Sequence, residues 1–313
     1  MLMTPSSLVD TRCGTMLGHT DVMMAITTPV NDLNRIELEC FWKWQRNKED
    51  ILSRFILASN EDPDERITDK YLRDTILNFL IAGKDTSANT LSWFFYMLCK
   101  HPTIQERIAL EIIESVGDKV VSNEKGNYSS VDEFTARLTE ESIDKMQYLH
   151  AAITETLRLY PAVPVVQTFL STVIFLVHNS SFFDGKCADE DDVLPDGLKV
   201  KKGDGVNYMM YAMGRMTYLW GEDADEFKPD RWLANGVFQP ASPFKFVAFN
   251  AGPRICLGKE FAYRQMKILA ATLIHFFRFR LEDESRSIKY RTMFTLHIDG
   301  GLPVTALRRI KCE

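Results

Sequence analysis

Cys256 is the residue whose setting first suggests chemistry. It lies in the stretch Phe249-Asn-Ala-Gly-Pro-Arg-Ile-Cys-Leu-Gly258, and a helical pattern opens directly after it at Lys259. A thiol just ahead of a helix start meets the positive end of the helix dipole and unpaired backbone N–H groups. Both favour the thiolate, which is the form that binds a metal. Gly252 and Gly258 let the backbone turn tightly and approach a flat ligand closely. Arg254, two residues before the thiol, can pair with a carboxylate in fork geometry. A soft anionic ligand, a close backbone and one carboxylate clamp together suit haem iron held by a cysteine thiolate. A lone cysteine is more often a small core residue; here the whole loop around it speaks for a ligand.

The elements that must position this loop lie upstream. Thr68 opens a long apolar pattern that runs to about Cys99. Thr68 or Asp69 can cap it, and His101-Pro102 ends it, because the residue before proline avoids the helical region. A helix of that length spans about 48 Å. Ile76, Leu77, Phe79, Leu80, Ile81, Leu91, Trp93, Phe94 and Phe95 make it apolar on most sides, as a central buried helix should be. Its middle reads Ala82-Gly83-Lys84-Asp85-Thr86-Ser87. Glycine mid-helix costs up to about 1 kcal/mol against alanine, so something must come close at Gly83. The Thr86 hydroxyl and Asp85 carboxylate can relay protons; the plainer alternative is a threonine bonding back to its own helix. A phosphate-binding loop is excluded, since Asn78 stands where its first glycine belongs.

A second helix is expected from Pro102 to Gly117, a polar loop from Val120 to Thr139, and a third helix from Asp144 to Tyr160 that ends at Pro161-Ala-Val-Pro164. The third carries Glu155-Thr-Leu-Arg158, whose spacing puts both charges on one face. Short strands are expected at Leu198–Val200 and Val206–Tyr208. Arg291–His297 and Pro303–Leu307, flanking Asp299-Gly300-Gly301, read as a hairpin.

Phe249, Gly252, Arg254, Cys256 and Gly258 resemble, at every fixed position, the haem-binding loop of the cytochrome P450 family. Ala82-Gly83-x-Asp85-Thr86 is similar to that family's oxygen-activation motif. Glu155-x-x-Arg158 is similar to its Glu-x-x-Arg pair, and Phe227-Lys-Pro229-Asp-Arg231-Trp232 to the segment that supplies a third partner. The resemblance implies a mainly α fold with small β-sheets, incomplete here: a C-terminal, haem-binding part. It implies haem b with Cys256 as axial iron ligand; Ala82, Gly83, Phe249, Gly252, Arg254 and Gly258 against the cofactor; Asp85 and Thr86 as catalytic; and Glu155, Arg158 and Arg231 as structural support. Within that family the chain resembles plant fatty-acid omega-hydroxylases. The implied reaction is therefore hydroxylation of a long-chain fatty acid, at the terminal carbon, with O2 and electrons from an NADPH–cytochrome P450 reductase. The alternatives are a truncated, catalytically silent haem-binding or misfolded chain, and a haem-thiolate isomerase, against which the Asp85-Thr86 pair argues.

Residues 37–313 carry the likeness, and residues 1–36 are poorly specified. The likeness lapses over Val166–Phe183, a β-prone run read as an aberrant insert. The family's membrane anchor and early helices have no counterpart in the sequence, and no signal peptide or span of roughly 20 apolar residues appears. Localisation by resemblance is the cytosolic face of the endoplasmic reticulum membrane, or the cytoplasm without an anchor.

Composition agrees with a globular protein: 313 residues, 45% hydrophobic, 26% charged, net charge −6. Acidity and the lack of a Lys/Arg block argue against a nucleic-acid partner. Six scattered cysteines without Cys-x-x-Cys read as reduced thiols. Between Pro243 and Lys267, Lys245, Arg254, Lys259, Arg264 and Lys267 face only Glu260, a local charge of +4 suited to an acidic electron donor.

Overall fold

The fold begins, among the residues described, with the capped long helix. The computed structural model describes residues 68–117, 131–164, 186–188, 190–194, 196–206, 209–292 and 294–309. The expectations for residues 1–36 and for the run 166–183 lie outside them.

Helix α1 spans Asp69–Lys100. The Tyr71 amide donates to Thr68 Oγ1 at 3.2 Å, closing the cap, and His101-Pro102 ends the helix as expected. Pro102 then opens helix α2, Pro102–Ser115, at its first position. Helices α3 (Val131–Arg137), α4 (Glu140–Lys145) and α5 (Gln147–Leu159) follow. The polar stretch expected to be loop thus holds α3. One side chain decides it: Phe134 is buried and stacks on the His275 ring at 4.0 Å. Such an anchor overrides weak helix propensity.

Four short strands come next. β1 (Lys186–Cys187) pairs with β4 (Gly205–Val206), and β2 (Asp192–Val193) with β3 (Lys199–Val200), both antiparallel. Single-turn helices α6 (Met210–Met213) and α7 (Thr217–Trp220) lead to a 3-10 turn at Pro229–Trp232 and the hairpin β5 (Leu233–Ala234) and β6 (Val237–Phe238). Helix α8 covers Lys259–Phe276 and runs without a loop into β7, Phe277–Leu281.

The C-terminal hairpin is not the one expected. β8 (Tyr290–Thr292) pairs with β9 (Leu296–Ile298), whereas β10 (Val304–Arg308) pairs with β7. Asp299-Gly300-Gly301 does turn the chain, with positive φ at both glycines. The strands on either side nevertheless find separate partners. β7 and β10 match over five residues, from Val304 opposite Leu281 to Arg308 opposite Phe277, and that longer ladder wins over the local signal.

The core gathers the C-terminal half of α1 with α2, α5, α8 and the β7–β10 ribbon. Trp93, Phe94, Phe95 and Leu98 are almost wholly buried, each contributing about 1.5–3 kcal/mol of burial. Trp93 stacks face to face on Tyr160 at 4.1 Å, and its indole donates to the Leu296 carbonyl at 3.0 Å. The Leu296 amide in turn donates to Ala162 at 2.9 Å, so β9 hangs between α1 and the chain leaving α5. Buried Gln105 donates to the carbonyls of Leu98 and Phe279 and accepts the Phe279 amide at 2.7 Å, tying α1, α2 and β7. Glu111 of α2 accepts the amides of Tyr148 and Leu149 at 2.6 and 2.8 Å, an anionic cap on α5.

The N-terminal half of α1 departs from the expectation of a buried helix. Leu77, Phe79, Leu80 and Ile81 are exposed, Leu80 by 61%. An all-round apolar pattern says that a helix is made to be covered, without saying by what.

Candidate functional site

The cysteine loop is a strained turn presented at the surface. Asn250 and Gly252 take φ of 61° and 65°. That region suits glycine and, among other residues, asparagine best. A 3-10 turn follows at Gly252–Arg254, with the Ile255 amide donating to Gly252 at 3.1 Å. The Cys256 amide donates to the Phe249 carbonyl at 2.7 Å, and the Lys259 amide to Cys256 at 3.3 Å. The thiol therefore sits just before α8, as the sequence suggests. Cys256 is a free, exposed thiol. Cys99, by contrast, has its thiol pushed up to about 12 by burial, which makes it inert. Arg254, Ile255 and Leu257 are also exposed. Asn250 carries as much of the turn as Gly252, and sequence reasoning passed over it; its signal was an asparagine two residues before a glycine.

Glu155 of α5 is fully buried and saturated with donors. Arg158 Nε and Nη2 donate to its two carboxylate oxygens at 2.7 and 2.8 Å, a fork geometry. Arg231 Nε donates at 2.8 Å, Trp232 Nε1 at 2.8 Å and the Lys228 amide at 2.9 Å. Arg158 spends its remaining donors on the carbonyls of Gly214, Ala224 and Glu226. Arg231 Nη2 donates to Asp223 O at 2.8 Å. The three charged residues singled out in the sequence thus meet at one point, on α5 and the turn at Pro229–Trp232. Gly214, Ala224 and Glu226 were missed, and Trp232 was named in its segment without a role. The first three contribute backbone carbonyls, which no residue type announces. Gly214 has a visible reason: a Cβ there would lie 2.0 Å from the Arg158 carbonyl oxygen.

Around Gly83 of α1, a Cβ would meet nothing within 4 Å, and the same holds at Gly252 and Gly258. Thr86 Oγ1 donates to the Ala82 carbonyl at 2.6 Å, the plainer of the two readings of that hydroxyl. Asp85 and Thr86 are half-buried. One turn on, Asn89 Nδ2 donates to Thr295 Oγ1 at 3.0 Å inside the core.

The basic strip is smaller than its sequence suggests. Lys267 is buried and donates to the Ile143 carbonyl; burial draws its ammonium down to about 8. Arg264 pairs with Glu140 at 2.9 Å, and Lys245 lies over the Trp220 ring at 4.3 Å. Arg254, Lys259 and Lys245 are what the loop retains.

These residues fit a flat metal macrocycle. Among the described residues no cluster of His, Cys, Asp and Glu could hold a metal. A single exposed thiol suits an iron whose other donors come with the group that carries it. The open space at Gly252 and Gly258 leaves the loop's backbone free to lie against a face of such a ring.

Comparison with known proteins agrees. The cytochrome P450 family model matches residues 19–174 and 177–302. The chain is 52% identical over 267 residues to cytochrome P450 704C1 of Pinus taeda, covering 84% of this chain and 47% of the relative. It is 47% identical to cytochrome P450 704B1 of Arabidopsis thaliana, over 84% of this chain and 48% of that one. Against cytochrome P450 86B1 of Arabidopsis thaliana the identity is 40%, over 85% and 43%. The match to a haem-binding, monooxygenase class of proteins spans most of the described residues. The chain belongs to the cytochrome P450 family, as its four motifs suggest, and its mainly helical fold with small antiparallel sheets accords with part of that family's domain. The family's cofactor is haem b. The chain spans about half the length of the curated relatives it matches.

Proposed function

We propose that this chain supplies the haem-binding half of a monooxygenase that hydroxylates a C–H bond of a long-chain fatty acid, at the terminal carbon. The observation that carries the reading is the exposed Cys256 thiol on a loop whose backbone is locked by the Phe249 carbonyl. When bound, haem supplies oxygen binding and O–O cleavage, which a thiolate ligand favours. The balance is one C–H bond and O2, with two electrons and two protons, giving one alcohol and one water. The electrons come from an NADPH-dependent reductase.

Cys256 would hold the cofactor as thiolate, and Arg254 would pair with one of its carboxylates. Phe249, Gly252 and Gly258 would shape the loop against it, and Ala82 and Gly83 would leave room for it. Asp85 and Thr86 handle the protons. For that, the Thr86 hydroxyl must swing away from Ala82 O, to which it now donates. Glu155, Arg158 and Arg231 perform no chemistry and hold the ground on which the loop rests. The fatty-acid substrate rests on the resemblance to the hydroxylases of this family, as do the reductase and the endoplasmic reticulum surface. Among the described residues no helix is long and apolar enough to cross a membrane.

The test is the carbon-monoxide spectrum of the reduced, haem-loaded chain, followed by incubation with long-chain fatty acids, reductase, NADPH and O2. A thiolate-type Soret band that vanishes in Cys256→Ala, with a hydroxylated product, is expected. No thiolate-type band overturns the reading; a band without product reduces the chain to a silent haem binder.

A further inference from the structure

The loop that carries Cys256 has few side-chain anchors. Residues 252–257 are all exposed, and the first side chain of the loop that packs on the core is Phe249. Phe249 matters twice. Its carbonyl receives the Cys256 amide at 2.7 Å, and its ring rests on Tyr263 of α8, with centroids 5.2 Å apart. The place of the sulfur therefore depends on what fixes Tyr263.

Tyr263 is fixed on two further sides. Its ring stacks on His150 of α5 at 4.2 Å and 20°, and His150 meets Phe238 edge to face at 4.2 Å. Its hydroxyl lies 3.0 Å from Thr154 Oγ1. Thr154 gives its single proton to the His150 carbonyl at 2.8 Å, so at the Tyr263 contact the phenol donates and the threonine accepts. Burial raises the Tyr263 phenol, which keeps it protonated and donating, and lowers the His150 imidazole to about 3, which keeps it neutral against the ring. Thr154 immediately precedes Glu155. One helix thus holds the charged hub with one residue and the loop's aromatic anchor with its neighbour.

We infer that Tyr263 is a positioning residue for Cys256, holding the Phe249 carbonyl in place from α5 through its ring stack on His150 and its hydrogen bond to Thr154. The inference deepens the proposed function and rests on it for its consequence, ligation of iron, though not for its geometry.

The test compares Tyr263→Leu and Tyr263→Phe with Phe134→Leu, a buried aromatic whose ring meets those of His275 and Phe276. In the full chain without haem, amide hydrogen exchange at Cys256 reports the bond to Phe249. Tyr263→Leu should speed that exchange about tenfold relative to Phe134→Leu, and Tyr263→Phe should restore most of the protection. In the haem-loaded chain, Tyr263→Leu should convert the thiolate-type band to the thiol-type band about tenfold faster, at equal haem content, while Phe134→Leu should not. Equal Cys256 exchange in the two leucine variants overturns the inference. Altered exchange without any thiolate-type band in the wild-type chain leaves the positioning role standing and overturns the proposed function instead.

Discussion

The Glu155 hub and the Cys256 loop lie in the same protein and are built on opposite plans. At the hub, each carboxylate oxygen has donors within hydrogen-bond reach, and the Glu155 and Arg158 side chains have no exposure. The hub needs nothing from outside. The loop satisfies its backbone by tight turns and leaves its side chains in the open, with Leu257 86% exposed. A saturated buried charge network specifies a structure through the cost of breaking it. On the proposed reading, the open loop is structure held ready for another molecule. The difference teaches that framework and ligand face can be told apart by whether their polar and apolar groups are already matched.

Breaking the hub should cost most. Glu155→Gln leaves the buried Arg158 and the largely covered Arg231 beside a neutral amide, and a loss of about 3–5 kcal/mol in urea unfolding is expected. A loss below about 1 kcal/mol would mean that the hub is no framework. Gly214→Ala follows. Its new Cβ would press on the Arg158 carbonyl at 2.0 Å, backbone against side chain. A cost of about 1–3 kcal/mol, read from the same denaturation curves, is expected.

The comparison sharpens with pH. His150 and His275, lowered by burial to about 3 and about 4, stay neutral in the fold while the unfolded chain takes up protons below about 6.5. Stability therefore falls as pH drops below that value, by at most about 1.4 kcal/mol per pH unit for each histidine. Lys267 works at the other end. Lowered to about 8 by burial, it sheds its proton in the fold before the unfolded chain does. Stability then rises with pH from about 8 to about 10.5, again by at most about 1.4 kcal/mol per unit. Lys267→Met should flatten that limb, and thermal melts across the range would show it.

The smallest effect belongs to the loop. In the chain without haem, Cys256→Ser should change stability by less than about 0.5 kcal/mol, since the side chain is exposed. The same change should abolish the thiolate-type band. A large loss of stability would make the thiol part of the framework.

What could be read from the residues divides along the same line. The ends of α1 were legible because Thr68 and His101-Pro102 act locally. The meeting of Glu155 with Arg158 was legible from their spacing, and Arg231 joined them only through the family pattern. Contacts between distant backbones were not legible. Nothing in Gly214, Ala224 or Glu226 announces a carbonyl turned toward Arg158. Asp299-Gly300-Gly301 signalled a turn and not its partners, because pairing of β10 with β7 is decided across the intervening chain. Lys267 looked like part of a charged face; one turn of helix placed it in the core instead.

The direct passage from α8 into β7 leaves no slack at the far end of the helix that begins beside Cys256. Adding one residue anywhere between Lys259 and Phe276 would swing the loop about 100° around the helix axis, with no linker to absorb the turn. Length in this segment is therefore a quantised variable. Insertions and deletions are better tolerated in the surface loops on either side, and the interval from Lys259 to Leu281 behaves as a single ruled part whose phase sets the direction of the loop.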